Sequence, residues 1–143
     1  MARLTRRNGW LSQRGQALVE TALVVPLLLT LVFGVVGLGR AVQAQMGVLA
    51  VAREAALSAS LASSPAEAGA RGLERGQAVA AGYGLSNGTL ALSVDPGDFA
   101  RGGAVQARAR YEVRLDDLPL LGWVRFTAES RHVERIDPYR SRW

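Results

Sequence analysis

The 143-residue sequence has no cysteine, a single histidine, five prolines and an aromatic content of only 6%. Without cysteine there are no disulfide staples, no thiolate metal site and no cysteine nucleophile. The lone His132 sits in an alternating, strand-like run with no serine–acid constellation around it, so a general base there has no partners. Glycine-rich phosphate loops, paired carboxylates and metal-ligand clusters are also missing. The chain is therefore expected to be no enzyme and to use no cofactor, metal or small-molecule substrate.

Acidic residues are absent from the first fifteen positions, which hold Arg3, Arg6, Arg7 and Arg14. Setting those four aside leaves 13 basic residues against 12 acidic ones, so the rest of the chain is nearly neutral. A nucleic-acid partner, which needs basic charge spread over a binding face, is not expected. Basic residues just ahead of an apolar run instead act as a topology signal that keeps their side in the cytoplasm.

That apolar run is Thr21 to Gly39, TALVVPLLLTLVFGVVGLG, with no charged residue and with Arg40 closing it. Its roughly 19 residues, at about 1.5 Å each along a helix, match a bilayer core of about 30 Å. No comparable run follows, which predicts a single crossing with the C-terminal part outside the cytoplasm. A secretory signal would have a shorter apolar core and a small-residue cleavage site, and this run has neither. Past Arg40, Val42, Met46, Leu49, Ala52 and Ala56 recur at three- and four-residue spacing, predicting an amphipathic stem that continues the helix to about Ser63. Pro26 predicts a kink or loosened turn, unless it is a tolerated membrane proline. Gly34, Gly37 and Gly39, with Ala41 four residues after Gly37, offer a low-relief face for close helix packing.

Glu20 stands at the edge of this run. A carboxylate at a bilayer centre costs about 2.5 to 3.5 kcal/mol, less near the interface, so such a residue either snorkels to the interface or has a partner. Arg14-Gly15-Gln16-Ala17-Leu18-Val19-Glu20 ahead of an apolar stretch resembles the processing site of type IV pilins and pseudopilins, where a membrane peptidase cuts after the glycine. The resemblance implies cleavage between Gly15 and Gln16 by a prepilin peptidase, and a new amine at Gln16 that a neighbouring subunit's Glu20 neutralises. Each charge would lower the other's burial cost.

The wider stretch RGQALVETALVVPLLLTLVFGVVGLGR resembles the opening of TadE-like proteins, minor pseudopilins of the tight-adherence pilus system. VAREAA at 51–56 and SRHVERIDPYR at 130–140 add to the likeness. The major pilin of that system usually has tyrosine after the acid and is far shorter, whereas Thr21 follows Glu20 here and a sizeable domain remains. The implied partners are the membrane, the peptidase, other pilins or pseudopilins and pilus platform proteins. Glu20, Gly34 and Gly37 are the expected packing residues, and the implied location is the cell membrane, extending to the cell surface or pilus.

Beyond the stem, Ser64-Pro65-Ala66-Glu67 has the form of a capping box, predicting a helix to about Ala81 with Ala66, Ala70, Leu73, Gln77 and Ala80 on one face. Gly69, Gly72 and Gly76 weaken it by roughly 0.8 to 1 kcal/mol each, so it needs packing to persist. Asn87-Gly88 reads as a turn, and the sequon it opens with Thr89 is read as that turn rather than as a glycosylation site. Leu90, Leu92 and Val94 then alternate up to an Asp95-Pro96-Gly97-Asp98 stop. Val105, Ala107, Ala109, Tyr111, Val113 and Leu115 alternate with Gln106, Arg108, Arg110, Glu112 and Arg114, predicting a strand with one wet face. A second alternating run, Val124 to about Val133, predicts its antiparallel partner. The arginine stripe is first a solvated face; alternatively it docks an acidic partner with Trp123, Tyr139 and Trp143 as anchors.

The sequence thus predicts an α+β protein: a basic cytoplasmic leader (1–15), a transmembrane helix and stem (16–63), and a small exported domain of one short helix and an antiparallel sheet (64–143). Its expected role is that of a pseudopilin-like component of pilus assembly. The alternative is an uncleaved single-pass protein with an extracytoplasmic binding or sensor domain.

Overall fold

A computed structural model describes residues 9–85 and 89–139. Helix α1 (Gly9–Ser60) is followed by α2 (Pro65–Gly82) and strands β1 (Leu90–Asp95), β2 (Ala104–Arg114) and β3 (Arg125–Arg135). The strands form one antiparallel sheet in the order β1-β2-β3, so the α+β architecture expected from the pattern is the one observed. The expected Asn87-Gly88 turn lies outside the described residues, as does Trp143.

At about 1.5 Å per residue, the 52 residues of α1 extend about 78 Å. The helix runs unbroken through Pro26 and ends at Ser60, three residues short of the expected stem end. Its second half lies across the inner face of the sheet. Val105, Ala107, Ala109, Tyr111 and Val113 of β2 are buried against it, while the alternate residues Arg108, Arg110 and Arg114 are exposed. Register places Ala109 between Leu92 of β1 and Ser130 of β3. The inner surface of this middle strand is mostly alanine and valine, which lets a helix approach closely.

The helix meets that surface with equally small residues. Ala44, Val48, Val51, Ala52, Ala55, Ala56 and Ala59 are all buried. This corrects the stem reading: Ala52 and Ala56 do point inward, but Val42, Met46 and Leu49 are exposed. Apolar residues form more than one stripe on this part of the helix, so periodicity alone fits two sides of it. Close packing on the sheet selects the smaller set.

The face of α2 also needs correction. Ser64 caps it, its side chain accepting from the Glu67 amide at 3.2 Å, with Pro65 in the first turn and the Glu67 carboxylate accepting from the Ser63 amide at 2.8 Å. At its other end Gly84 takes φ +71° and the Leu85 amide donates back to the Ala80 carbonyl, closing the helix. Its buried side is Ala68, Gly72, Gly76 and Ala80, whereas Ala66, Ala70, Leu73 and Gln77 are exposed. Two of the glycines that weaken the helix, Gly72 and Gly76, are where it touches its neighbours. A methyl added at Gly72 would lie 3.0 Å from the Ala55 carbonyl oxygen and 3.0 Å from Val94, and one at Gly76 would run into Leu92.

The far end closes with Phe99 and Ile136 packed on Ala59, Ala62, Ala68 and Val105. Between β1 and β2 the turn at Asp95-Pro96-Gly97-Asp98 forms where expected, the Gly97 amide donating to the Asp95 carboxylate at 3.0 Å.

This packing separates two glycines of one helix. Gly72→Ala is expected to destabilise the body by about 1 to 2 kcal/mol, because overpacking against backbone outweighs the gain in helix propensity. Gly69→Ala, which meets nothing within 4 Å, is expected to stabilise it by about 0.5 to 1 kcal/mol. Thermal unfolding of the two variants in detergent, followed by circular dichroism, checks the opposite signs.

Candidate functional site

The first half of α1 has no partner among the described residues. From Gly15 to Val32 every residue is exposed, including Leu23, Leu27, Leu28 and Leu31. A helix apolar on all sides and uncovered by its own fold is not a core helix, and its length and composition suffice to cross a membrane once. Its threonines fit that solvent: Thr21 and Thr30 donate their hydroxyls to the carbonyls of Ala17 and Pro26, at 2.9 and 2.8 Å. No side-chain donor of these two residues is left for the lipid to satisfy.

Glu20 lies on this surface, exposed and without an ion pair or hydrogen bond among the described residues. It sits four residues after Gln16, on the same helix face. Gly15 is likewise open, with nothing within 4 Å of the position a side chain would take. Arg3, Arg6 and Arg7 lie outside the described residues, and Arg14 lies within the first turns of α1.

The two glycines expected in packing differ. Gly34 is open, whereas Gly37 is covered by the chain itself, with Leu115 at 3.0 Å and Leu121 at 3.8 Å from its Cβ position. Three residues on, Arg40 makes a two-pronged ion pair with Asp117, at 2.6 and 2.7 Å. This clamp ties the β2–β3 connection to the point where the charge-free run ends. No local pattern announces it, since the two residues are 77 positions apart. Beyond it the apolar surface continues outward along α1 through Val42, Met46 and Leu49, with Met46 61% exposed.

Arginine dominates the outer face of the sheet. Arg108 stands directly opposite Arg131, and Arg114 opposite Arg125. Arg114 pairs with Asp116 at 2.8 Å and Arg125 with Glu112 at 3.5 Å, both exposed pairs of the kind that contribute at most about 1 kcal/mol. His132 lies on the other face, opposite Ala107, with Glu134 at 3.2 Å. The aromatic residues do not gather on the arginine face: Tyr139 follows β3, while Trp123 is in the β2–β3 connection at the Arg40 end.

Residues 15–57 match the family model described as TadE-like protein. This segment of the chain is TadE-like. The match opens at Gly15, passes through Glu20 and the charge-free run, and ends at Leu57, three residues before α1 does. VAREAA falls inside the TadE-like segment; SRHVERIDPYR, α2 and the sheet fall outside it. Searches of curated proteins and of solved structures found no match. The TadE-like segment and an uncovered apolar helix together fit a membrane-anchored, pilus-related protein.

The clamp makes the β2–β3 connection sensitive to acid. Hydrogen bonds from Arg40 hold the Asp117 carboxyl below the ordinary carboxylate range. A group whose folded pKa is lowered contributes fully above its unfolded value, about 3.9 for aspartate, and loses that contribution as pH falls through the lowered value. Amide hydrogen exchange across residues 116–124, corrected for intrinsic rates, should stay constant from neutral pH to about pH 5 and quicken below it. Asp117→Asn should remove the step and leave exchange modestly faster over the whole range, since Leu115 and Leu121 still pack the connection on the core.

Proposed function

We propose that this chain is a pseudopilin-like component of a tight-adherence, type IV-like pilus system, acting through helix packing and protein contact rather than catalysis. In this reading the arginine leader stays in the cytoplasm and the body bearing α2 and the sheet lies outside it. A prepilin peptidase cuts between Gly15 and Gln16, and the mature helix packs laterally with pilins, other pseudopilins or platform proteins.

The observation that carries the reading is a TadE-like match that begins at Gly15 on a helix whose sole acid before Arg40, Glu20, is exposed and has no partner among the described residues. Cleavage there would put an ammonium group at Gln16, near the lipid boundary and one helical turn from the acid. Within one chain, a helix holds the two charges in fixed positions. Between neighbours, one subunit's Glu20 can meet the other's amine, and each ion then has a reason to enter a low-dielectric contact. Apolar helix faces supply area with little preference for register; a charge pair supplies the register. Removing four arginines also strips away the charge that retains the N-terminus on its side of the membrane.

The outward run of Val42, Met46 and Leu49 supports the same reading. These residues are exposed and extend the apolar surface of α1 past the charge-free run, so a packing partner would follow the helix beyond Arg40.

Intact-mass analysis of membrane fractions tests the proposal. A chain beginning at Gln16 is expected; a chain still carrying Gly15 and its leader overturns it in favour of a simple tethered domain. Glu20→Gln should insert normally and lose co-purification with partner subunits by an order of magnitude or more. Normal incorporation of that variant would remove the charge-pairing mechanism.

A further inference from the structure

The connection between β2 and β3 has an unusual composition. Residues 118–123 read Leu-Pro-Leu-Leu-Gly-Trp, an uncharged and mainly apolar sequence in a hairpin connection, where polar turn residues are the rule. Part of it serves the core: Leu115 is buried, and Leu118 and Leu121 are half-buried against the same cluster. Leu120 and Trp123 do not. They are 58% and 82% exposed, side by side at the tip.

The position of this tip decides what covers it. Leu115 and Leu121 close over Gly37, inside the charge-free run Thr21–Gly39, and Asp117 is clamped to Arg40 at its end. The connection is therefore held at the end of the charge-free run. Its conformation presents the apolar side chains outward. Leu120 takes a left-handed φ of +68°, unusual for a branched residue. The turn is held by the Leu121 amide on the Leu118 carbonyl at 3.2 Å and the Val124 amide on the Leu121 carbonyl at 2.8 Å. The Trp123 indole N–H donates to the Leu120 carbonyl at 3.2 Å, so the ring brings no unsatisfied donor into an apolar medium. Arg114 and Arg125 flank the connection, each with a nearby acid.

We propose that residues 118–123 are a second membrane contact, with Leu120 and Trp123 inserted at the headgroup–acyl boundary of the leaflet from which α1 emerges. Tryptophan is favoured at that depth, where an amphipathic ring has both polar and apolar neighbours. A body tied to the bilayer by one helix can swing about it; a second contact at the base fixes its tilt, and with it the direction in which Val42, Met46 and Leu49 face a neighbour. The inference rests on reading Thr21–Gly39 as the span.

Brominated lipids test it on the full chain. With Trp10→Phe and Trp143→Phe, Trp123 is the sole indole and its own site is unaltered. In phosphatidylcholine–phosphatidylglycerol vesicles its emission should be blue-shifted, and quenched at least twofold more by bromine near the glycerol end of the acyl chain than by bromine near the bilayer centre. Leu31→Trp, in a background that also carries Trp123→Phe, should show the reverse depth preference. A Trp123 that keeps the emission of a water-exposed indole and ignores both lipids, while Leu31→Trp is quenched, overturns the loop contact and leaves the anchor standing. If neither is quenched, the span reading fails with it.

Discussion

Everything in this fold depends on one helix serving two solvents without interruption. The first half of α1 has apolar residues on all sides and none of it is needed by the body; the second half is the element on which α2 and the sheet are assembled. A break between them would leave the sheet covered but uncouple the body from the apolar half. Continuity across Gly37–Arg40 therefore couples whatever happens to the anchor directly to the orientation of the body. The Arg40–Asp117 clamp sits at that junction, tying the sheet to the helix where the charge-free run ends.

Small side chains make the second half work. A helix bearing alanines, packed on a strand bearing alanines, lies close, and the close fit extends to α2 through Gly72 and Gly76. The cost is helix propensity in α2, which the capping at Ser64 and Glu67 partly offsets. The benefit is economy of space: the large apolar residues Val42, Met46 and Leu49 are not consumed by the core and remain available outside. The same division recurs at the β2–β3 connection, where Leu115 and Leu121 are spent on packing while Leu120 and Trp123 are left at the surface.

Sequence pattern was most informative where one solvent contrast dominates. The charge-free run formed a helix, the run alternating small apolar residues with Gln106, Arg108, Arg110, Glu112 and Arg114 formed a strand with one exposed face, and the capping box opened α2. It was least informative where both sides of an element are apolar. On the stem, two stripes fit the helical period equally well, and on α2 the eye follows Leu73 although glycine is what touches α1 and β1. The Arg40–Asp117 clamp was invisible because nothing local links two residues 77 positions apart.

What the sequence determined by itself was the order of elements along the chain: a basic N-terminal stretch, an apolar helix with one acid at its edge, then a small α+β body, because these follow from charge and periodicity counted residue by residue. Which side of α1 turns to the sheet, and which apolar residues are left over at the base of the body, were decided only by tertiary structure. Both choices rest on how closely two surfaces can approach, a property of their combined shape that no single segment carries.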